Sequence, residues 1–397
     1  MKYTYASIVP LIGGETIGMQ NAFGTRPEYV LSYEAFQAND SQLLNYYNNE
    51  VPYRLLDKTN DPVEKVDVIN SVCPCAGLSS LSPHASSTNK MNDWMIETAK
   101  HVLGKVKPRI FWGENAPRLA SKMGEPVVAI LREIAEKEGY VFSLYKTKSL
   151  LHGLSQVRDR SFYFFWQGDS IPLLPYFRRE HEKIEDTIRN SKRKKSDPMN
   201  VLVNDKTPSQ DPYYRYILEE IHGGISHKEF QELLPKSTTT LEYIEEQGIT
   251  YDKVKTWMLE NNYPAHADKC QRMYEKLAAG GNIMRKQTTI PKDYIGAFVG
   301  HMPTLLTHPD EDRYLTIREC LDIMKMPTDF ELLGGRKNLN MICQNVPVTT
   351  STDMAKSVYE VLEGNYDRIS ANFLIQSNHT QSHIVETEPS TLESFIK

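Results

Sequence analysis

The sequence is poor in cysteine, in long apolar runs and in excess charge of either sign. Five cysteines among 397 residues are too few for a disulfide framework, which favours a reducing compartment. No apolar run approaches the roughly 20 residues of a membrane-spanning helix, and the first residues lack the basic and apolar regions of a secretory signal. We therefore expect a cytoplasmic protein with no membrane partner. A formal net charge of -5 does not by itself indicate a nucleic-acid binder, because phosphate contacts need local positive charge.

Short apolar segments alternate with amphipathic ones along residues 1–166. The apolar segments are rich in β-branched and aromatic residues, as strands are. The segments between them repeat apolar residues every three or four positions, as helices do. This alternation predicts an α/β domain with a mostly parallel sheet. The predicted strands lie in 5–12, 29–36, 66–72, 109–115, 140–147 and 160–166, and two predicted helices in 94–106 and 125–139.

The composition changes after Trp166, which predicts a separate region over 167–300. This region is richer in charge, with helical segments and little strand alternation. It contains a basic run at 188–196. That run is either a solvated loop or an arm that contacts phosphate groups.

Ordered structure is expected to return over 301–365. There Thr316 and Glu319 have the spacing of a capping box at the start of a helix. Gly364 follows a second helical pattern and predicts its end. The polar residues 366–397 are expected to form a peripheral tail.

A glycine-rich turn follows the first predicted strand. Gly13 and Gly14 come directly after it, and glycines at a strand-to-helix turn let backbone N–H groups approach a ligand closely. Glu34 ends the second apolar run, where Rossmann-like folds place the acid that holds ribose hydroxyls. Asp57 ends a third strand-like segment and is placed to meet an adenine amino group. These features leave two alternatives, an ordinary turn or a site for a nucleoside-containing cofactor.

Two of the five cysteines, Cys73 and Cys75, flank Pro74 after the predicted strand 66–72. A structural metal site needs about four ligands, and the other cysteines are scattered singly, so we expect no metal. A redox pair normally has two residues between its cysteines. The remaining alternatives are buried packing and a nucleophile at the end of a parallel strand, where α/β folds bind their ligands.

Six segments in order decide between these alternatives, because together they resemble the DNA cytosine-5 methyltransferase family. The stretch VDVINSVCPCAGLSS resembles the family's strand and Pro-Cys loop, and RIFWGEN resembles its Glu-Asn segment. The resemblance covers about 1–166 and 301–365. The middle region matches no family segment, which is expected if it is the family's variable target-recognition region. The other similar segments are SIVPLIGGETIGMQNAFG with YVLSYEAFQANDSQLLNYY, LLHGLSQVRDRSFYFFW, PTLLTHPDEDRYLTIRECLDIMKMPTDF and CQNVPVTTSTDMAKSV.

The resemblance implies a Rossmann-like class I methyltransferase domain with a smaller target-recognition domain. It implies that Cys75 is the nucleophile, that Glu114 faces the edge of the base, that Arg160 holds the base carbonyl and that Arg158 supports the loop. We predict that Cys73 is a buried packing residue without a role in the reaction. The residues expected at the cofactor are Val9, Leu11, Ile12, Gly13, Gly14, Glu34, Asp57, Pro74, Asn345 and Val346. Those expected at the base or DNA are Pro74, Ser79, Asn115 and Gln156.

The implied reaction moves a methyl group from S-adenosylmethionine to carbon 5 of a cytosine flipped out of duplex DNA. The implied setting is the cytoplasm of a bacterium or a virus-infected cell, with restriction-modification or self-protection as the role and a monomer as the acting form. The segment 79–93 is expected to close over the flipped base. Alternatives are the same chemistry on RNA or with an analogue of the donor, and a DNA-binding relative that does not catalyse.

The sequence also departs from the family pattern. Ser7, Val9 and Leu11 stand where the family's first segment has Asp, Phe and Gly. Ala76 replaces the usual Gln after the nucleophile. In the last segment, either Cys343-Gln344 stands where Gly-Asn is expected, or Asn345 matches the Asn with one residue deleted. The expected cofactor site is therefore altered at both of its ends.

Overall fold

The computed structural model describes residues 2–59, 63–79, 82, 84–191, 195–279, 287–300, 302–370 and 380–382. Its contacts divide the chain into two compact units. The sheet unit comprises 1–152, 158–180 and 346–397, and the helical unit comprises 153–157 and 181–345. Among the described residues, no helix is both long and apolar enough to cross a membrane.

The strands follow the β-branched and aromatic segments of the sequence. They are β1 (Tyr5–Ile8), β2 (Val30–Ser32), β3 (Tyr53–Leu55), β4 (Val68–Ser71), β5 (Ile110–Asn115), β6 (Tyr140–Lys148), β7 (Asp159–Gln167), β8 (Ser170–Pro172), β9 (Thr238–Thr239), β10 (Thr289–Ile290), β11 (Arg368–Ser370) and β12 (Thr380–Ser382).

The main sheet has the strand order β12-β6-β7-β5-β4-β1-β2-β3. All neighbouring pairs are parallel except those of β7, which runs antiparallel to β5 and β6. The predicted α/β fold with a mostly parallel sheet is confirmed. The connections leave β1 toward β2 on one side and return to β4 on the other, so the order reverses between β1 and β4. Open α/β sheets bind ligands beyond the carboxyl ends of the strands at such a switch point.

The helices are α1 (Gly14–Phe23), α2 (Gln37–Tyr46), α3 (Asp93–His101), α4 (Glu125–Glu138), α5 (Ile184–Arg189), α6 (Pro212–Tyr216), α7 (His227–Leu233), α8 (Thr240–Glu246), α9 (Tyr251–Glu260), α10 (Pro264–Ala278), α11 (Ile317–Ile323), α12 (Leu339–Gln344) and α13 (Val348–Glu363). The two helices predicted in the first part are present as α3, extended by a π-helical turn, and α4.

Glycine fixes two features of the sheet unit. Gly364 adopts the left-handed conformation, φ 82°, directly after α13 and ends it as predicted. Gly18 lies where α1 crosses α13. A Cβ atom there would come within 2.5 Å of Ser351 Cβ and 2.7 Å of the Ser351 carbonyl carbon. The two helices therefore pack with nearly touching backbones.

The helical unit has its own core, built from aromatic and aliphatic side chains of α6 to α10. Tyr214, Phe230 and Trp257 are among its buried residues. The predicted capping box of α11 is present, because the Thr316 hydroxyl accepts from the Glu319 N–H and the Glu319 carboxylate accepts from the Thr316 N–H. This unit is compact without the main sheet.

The unit boundaries differ from those expected from composition. Residues 167–180 continue the sheet unit, because β8 pairs with β11. Residues 301–345 lie in the helical unit, and the chain returns to the sheet unit only at Val346. The predicted peripheral tail contributes β11, and β12 adds a parallel edge strand beside β6. The basic run 188–196 lies partly outside the described residues.

Candidate active site

The strand register places four polar side chains on one face of the sheet, at its carboxyl edge. Ser7 pairs with Asn70, and Asn70 pairs with Trp112 on β5. Glu114 lies two residues beyond Trp112, and successive side chains of a strand point to opposite faces, so Glu114 shares the face of Asn70. Glu114 pairs with Phe162, which puts Arg160 on the same face. Residues far apart in sequence therefore meet at one edge.

Cys75 lies in the loop that leaves β4. The Leu78 N–H donates to the Cys75 carbonyl over 3.0 Å, which closes a tight turn around the thiol. Gly77 leaves room for the Asn92 side chain in this turn, because a Cβ atom there would come within 2.2 Å of Asn92 Oδ1. The side chain of Cys75 is half-buried, whereas Cys73 is buried beside the Ser71 hydroxyl. The two thiols therefore have separate surroundings.

Glu114 and Arg160 form an ion pair between Oε1 and Nε, with the carboxylate side chain 2% exposed and the guanidinium 12%. Arg158 is buried as well, and its carbonyl accepts the Ser149 N–H over 3.0 Å. Buried charge-assisted pairs of this kind hold both side chains in a fixed direction. The pair thus presents a carboxylate and a guanidinium next to each other.

The electrostatic surroundings of Cys75 include all three of these charged groups. Burial raises the pKa of the Cys75 thiol above its ordinary value, and the Glu114 carboxylate raises it further. Arg160 and Arg158 act in the opposite direction. In the free protein the thiol is therefore held protonated by its burial and by one negative neighbour.

The turn between β1 and α1 is buried and has an unusual backbone. Val9 (φ 50°), Leu11 (φ 52°) and Gly13 (φ 96°) all adopt positive φ, and Val9 to Gly14 are buried. A Cβ atom on Gly13 would lie 2.3 Å from Leu43 Cδ1, and a φ of 96° is a backbone conformation that other residues rarely adopt. The turn directs the first N–H groups of α1 at the switch point, as nucleotide-binding turns do.

The two predicted nucleoside-binding acids lie side by side on the rim beyond β2 and β3. Both carboxylate oxygens of Asp57 accept the Glu34 N–H, each over 3.1 Å. Glu34 is exposed and pairs with Lys58 over 2.7 Å. Nearby, the rings of Tyr33 and Trp94 are in contact, with 4.8 Å between centroids and an angle of 53° between their planes. Acids beside aromatic rings at the ends of parallel strands fit a ribose and an adenine ring.

Two of the predicted site residues lie in the helical unit. Gln156 is fully buried there. Its carbonyl accepts the Phe298 N–H over 3.1 Å, and its amide donates to the Ile323 carbonyl over 3.4 Å. These contacts hold the amide within that unit, and the predicted contact between Gln156 and the base stays a prediction. Asn345 is also buried, with its amide on Met326 Sδ at 3.0 Å.

The other predicted contacts lie in the sheet unit. The Asn115 amide is buried, and its Oδ1 accepts the Ala116 N–H over 2.8 Å, which supports the turn after β5. Pro74 and Ser79 are half-buried on either side of the thiol loop. Val346 is buried just before α13. Of the segment 79–93, residues 80, 81 and 83 lie outside the described residues.

A buried polar network at the switch point was not predicted from the sequence. Thr16 Oγ1 donates to Ser7 Oγ over 2.9 Å, and Ser7 Oγ donates to Asn70 Oδ1 over 2.7 Å. Asn70 Nδ2 then donates to Glu15 Oε1 over 3.1 Å. No local pattern links Asn70 to Glu15. The one available signal was a carboxyl directly after the glycine pair, in an otherwise apolar helix start.

Within the described ranges, no group of three or more His, Cys, Asp or Glu side chains is arranged to hold a metal ion. The chemistry available at the edge of the sheet is that of a thiol beside a carboxylate–guanidinium pair. Such a set can add a sulfur nucleophile to an electron-poor ring and stabilise the charge that develops on the ring.

Comparison with known proteins places these features in a family. The model of the C-5 cytosine-specific DNA methylase family matches residues 3–360. The type II methyltransferase M.PspPI from Psychrobacter sp. is 22% identical over 308 residues, which are 75% of this chain and 65% of that protein. The chain thus spans just under two thirds of the length of this curated relative.

Solved structures agree on the fold. A prophage-encoded protein of E. coli, described as a DNA modification methyltransferase, superposes with a TM-score of 0.55 at 14% identity, covering 91% of this chain and 99% of that one. The Entamoeba histolytica methyltransferase EhMeth gives 0.51 at 11%, again over 91% and 99%. The S. pombe methyltransferase Dnmt2 gives 0.51 at 12% with the same coverage. At these identities the likeness concerns the fold alone.

Proposed function

Because the chain belongs to the C-5 cytosine-specific DNA methylase family, we propose that it methylates carbon 5 of cytosine in double-stranded DNA, with S-adenosylmethionine, the methyl donor of this family. The covalent step is a bond between Cys75 Sγ and carbon 6 of the base. The observation that carries the proposal is the meeting of Cys75 with the Glu114–Arg160 ion pair at the carboxyl edge of the sheet.

The sheet unit has the features that the donor requires. The buried turn at Gly13 and the N-terminus of α1 would face its amino-acid end, and Glu34 and Asp57 would hold its ribose and adenine. When bound, the donor supplies an electrophilic methyl group on a positively charged sulfur. The substitutions at Ser7, Val9 and Leu11 alter the turn sequence, but a cradle that only glycine fits is still present at Gly13.

Carbon 5 of cytosine is a weak nucleophile until carbon 6 carries a substituent. The Cys75 thiol would first lose its proton to solvent. The thiolate would then add to carbon 6 and form the S–C6 bond while the ring electrons move to carbon 5 and nitrogen 3. Carbon 5 would take the methyl group and then give up its own proton to solvent. Loss of that proton breaks the S–C6 bond and restores the thiolate. A half-buried thiol in a tight turn suits both the attack and the departure.

The ion pair matches two adjacent atoms of the base. Nitrogen 3 and the carbonyl oxygen are neighbours on the ring, and Glu114 and Arg160 are in direct contact with each other. The carboxyl group would supply the proton that nitrogen 3 takes up as negative charge develops there, and the guanidinium would donate hydrogen bonds to the oxygen. Donors held in a fixed direction stabilise the charge that develops on the ring.

The target base must leave the stack before the thiol can reach it. The segment 79–93 follows Cys75 directly and is the part of the chain that we expect to close over the flipped base. We expect the helical unit to recognise the DNA sequence. We also expect the chain to act as a monomer in the cytoplasm, as part of a restriction-modification or self-protection system. These points stay predictions.

The test uses donor with a labelled methyl group and cytosine-containing duplex DNA. Wild-type protein should transfer label to the DNA, and Cys75→Ser should transfer none. Cys73→Ala is the matched control, because it removes the neighbouring buried thiol and should retain most of the activity. Duplex DNA with 5-fluorocytosine should trap a covalent complex in wild type and in Cys73→Ala. A trap that survives in Cys75→Ser would refute Cys75 as the nucleophile. Label that enters RNA and not DNA would overturn the choice of substrate.

A further inference from the structure

Glu15 is a completely buried carboxyl group for which the proposed reaction has no use. It stands in the first turn of α1, directly after the glycine turn, and α1 is ten residues long. Its Oε1 accepts from Asn70 Nδ2 over 3.1 Å. Its Oε2 is buried and has no hydrogen-bond partner among the described residues. A buried carboxyl oxygen without a partner is unfavourable unless a ligand completes it.

The register gives the location of this oxygen. Asn70 shares its sheet face with Glu114, and Glu15 reaches that face from α1. Asn70, which Glu15 contacts, lies on β4, one of the two strands that flank the switch point. Glu15 therefore lies between the turn expected to hold the donor and the carboxylate expected to face the base.

The titratable groups around Glu15 come from three strands or strand ends. They are Glu114 on β5, Cys73 at the end of β4 and Tyr163 on β7. None of these three groups carries a positive charge, and Arg160, one of the two guanidinium groups near Cys75, is paired with Glu114. Burial raises the pKa of Glu15 well above its ordinary value and Glu114 adds to this rise, whereas the Asn70 hydrogen bond and the Ser71 backbone oppose it. Burial therefore favours the neutral form of Glu15 in the free protein.

Resting on the function proposed above, we propose that Glu15 is the group that recognises the positive charge of the methyl donor. When the sulfonium group is in place, the Glu15 carboxyl loses its proton to the solvent and faces the cation as a carboxylate. One positive charge enters and one proton leaves, so the buried site keeps its net charge. The product, S-adenosylhomocysteine, has a neutral sulfur. It brings no positive charge to stabilise the Glu15 carboxylate, so Glu15 keeps its proton. Glu15 thereby favours donor over product.

The experiment measures binding, not turnover. Isothermal titration calorimetry at pH 7, in buffers that differ in ionisation enthalpy, counts protons released per ligand bound. Wild-type protein should release close to one proton with S-adenosylmethionine and none with S-adenosylhomocysteine. Glu15→Gln keeps the Oε1 acceptor for Asn70 but cannot ionise. It should release none with either ligand, bind the donor about tenfold more weakly and bind the product as before.

Asp40→Asn is the matched control, because Asp40 is another buried carboxyl of the sheet unit but lies on α2 beside Tyr53. It should keep the proton release. Difference infrared spectra of wild type provide a second measurement without a variant: the band of a protonated carboxyl should disappear on donor binding only. The proposal is overturned if Glu15→Gln releases as many protons as wild type on binding S-adenosylmethionine. It is also overturned if wild type releases a proton with both S-adenosylmethionine and S-adenosylhomocysteine. A wild-type chain that binds no donor overturns the proposed function instead.

Discussion

At the scale of single residues, charge and burial give neighbouring side chains of one type different chemistry. Cys73 and Cys75 are two positions apart, yet only Cys75 has two guanidinium groups and a carboxylate around it. Glu15 and Glu114 lie on one face of the sheet, yet Glu114 has a guanidinium partner and Glu15 does not. Two testable predictions belong to this scale.

Glu114→Gln should make the Cys75 thiol more reactive while it abolishes methyl transfer. The substitution removes a negative neighbour and leaves Arg160 unpaired, and both changes lower the pKa of Cys75. The rate of alkylation by iodoacetamide at pH 7 should rise several-fold. Cys75→Ser in the same background identifies the alkylated thiol. An unchanged alkylation rate would show that Glu114 does not act on Cys75.

Asp40→Asn should weaken the dependence of stability on pH. Burial raises the pKa of Asp40 to about 7, so the folded state resists its ionisation. The unfolded chain ionises near pH 4, and the raised folded pKa therefore removes stability from pH 4 up to about pH 7, by up to roughly 4 kcal/mol. Urea unfolding at pH 5 and at pH 8 measures the free energy of unfolding at each pH. The decrease from pH 5 to pH 8 should be smaller in Asp40→Asn than in wild type. Ser41→Ala changes an uncharged neighbour and should lose as much unfolding free energy between pH 5 and pH 8 as wild type. An equal loss in Asp40→Asn would show that Asp40 is not the group responsible.

At the scale of elements, the site depends on short backbone contacts rather than on helix or strand propensity. The turn before α1 needs Gly13, the thiol loop needs Gly77, and the crossing of α1 and α13 needs Gly18. Each position has a neighbour that a Cβ atom would strike. At Gly18 the neighbour includes backbone atoms, which cannot move out of the way as a side-chain end can.

Gly18→Ala should therefore destabilise the protein by about 2 kcal/mol, because overpacking at a close helix crossing forces the backbones apart. Chemical denaturation measures the loss. Gly104→Ala is the contrasting control, since the nearest atom to its Cβ would be 3.9 Å away, and it should cost little. A Gly18→Ala protein as stable as wild type would show that α1 and α13 are not in close contact.

At the scale of the whole molecule, the sheet unit is assembled from parts of the chain that are far apart in sequence. Asp353 on α13 joins His152 and Arg179: His152 Nδ1 lies 2.8 Å from Asp353 Oδ2, and Arg179 donates to Oδ1 over 2.6 Å. His152 and Asp353 are 201 residues apart and both are buried. Thr147 lies on the other ring nitrogen at 2.9 Å, which completes the network.

Asp353→Ala should lower the free energy of unfolding by roughly 3 kcal/mol, because it leaves a buried imidazole and a guanidinium without their shared partner. Urea denaturation followed by tryptophan fluorescence measures this loss. Lys356→Ala, an exposed position of the same helix, should change little. Equal stability of the two variants would mean that the network contributes nothing to holding α13.

The sequence by itself determined the alternation of strands and helices, the glycine turn, the ends of α4 and α13 and the capping box of α11, because these depend on neighbours within a few residues. It also indicated the family, because six local motifs kept their order. The tertiary structure decided where the chain changes unit, that 301–345 belongs to the helical unit and that the Gln156 carbonyl accepts the Phe298 N–H.

Only the tertiary structure brought Glu15 to Asn70 and Glu114 to Arg160. Each of these contacts depends on the strand register and on which face a side chain takes, and neither is encoded in any short segment. The sequence therefore named the chemistry of Cys75 from local motifs. The surroundings that set its reactivity, and the carboxyl group proposed to sense the donor, follow from long-range pairing in the sheet.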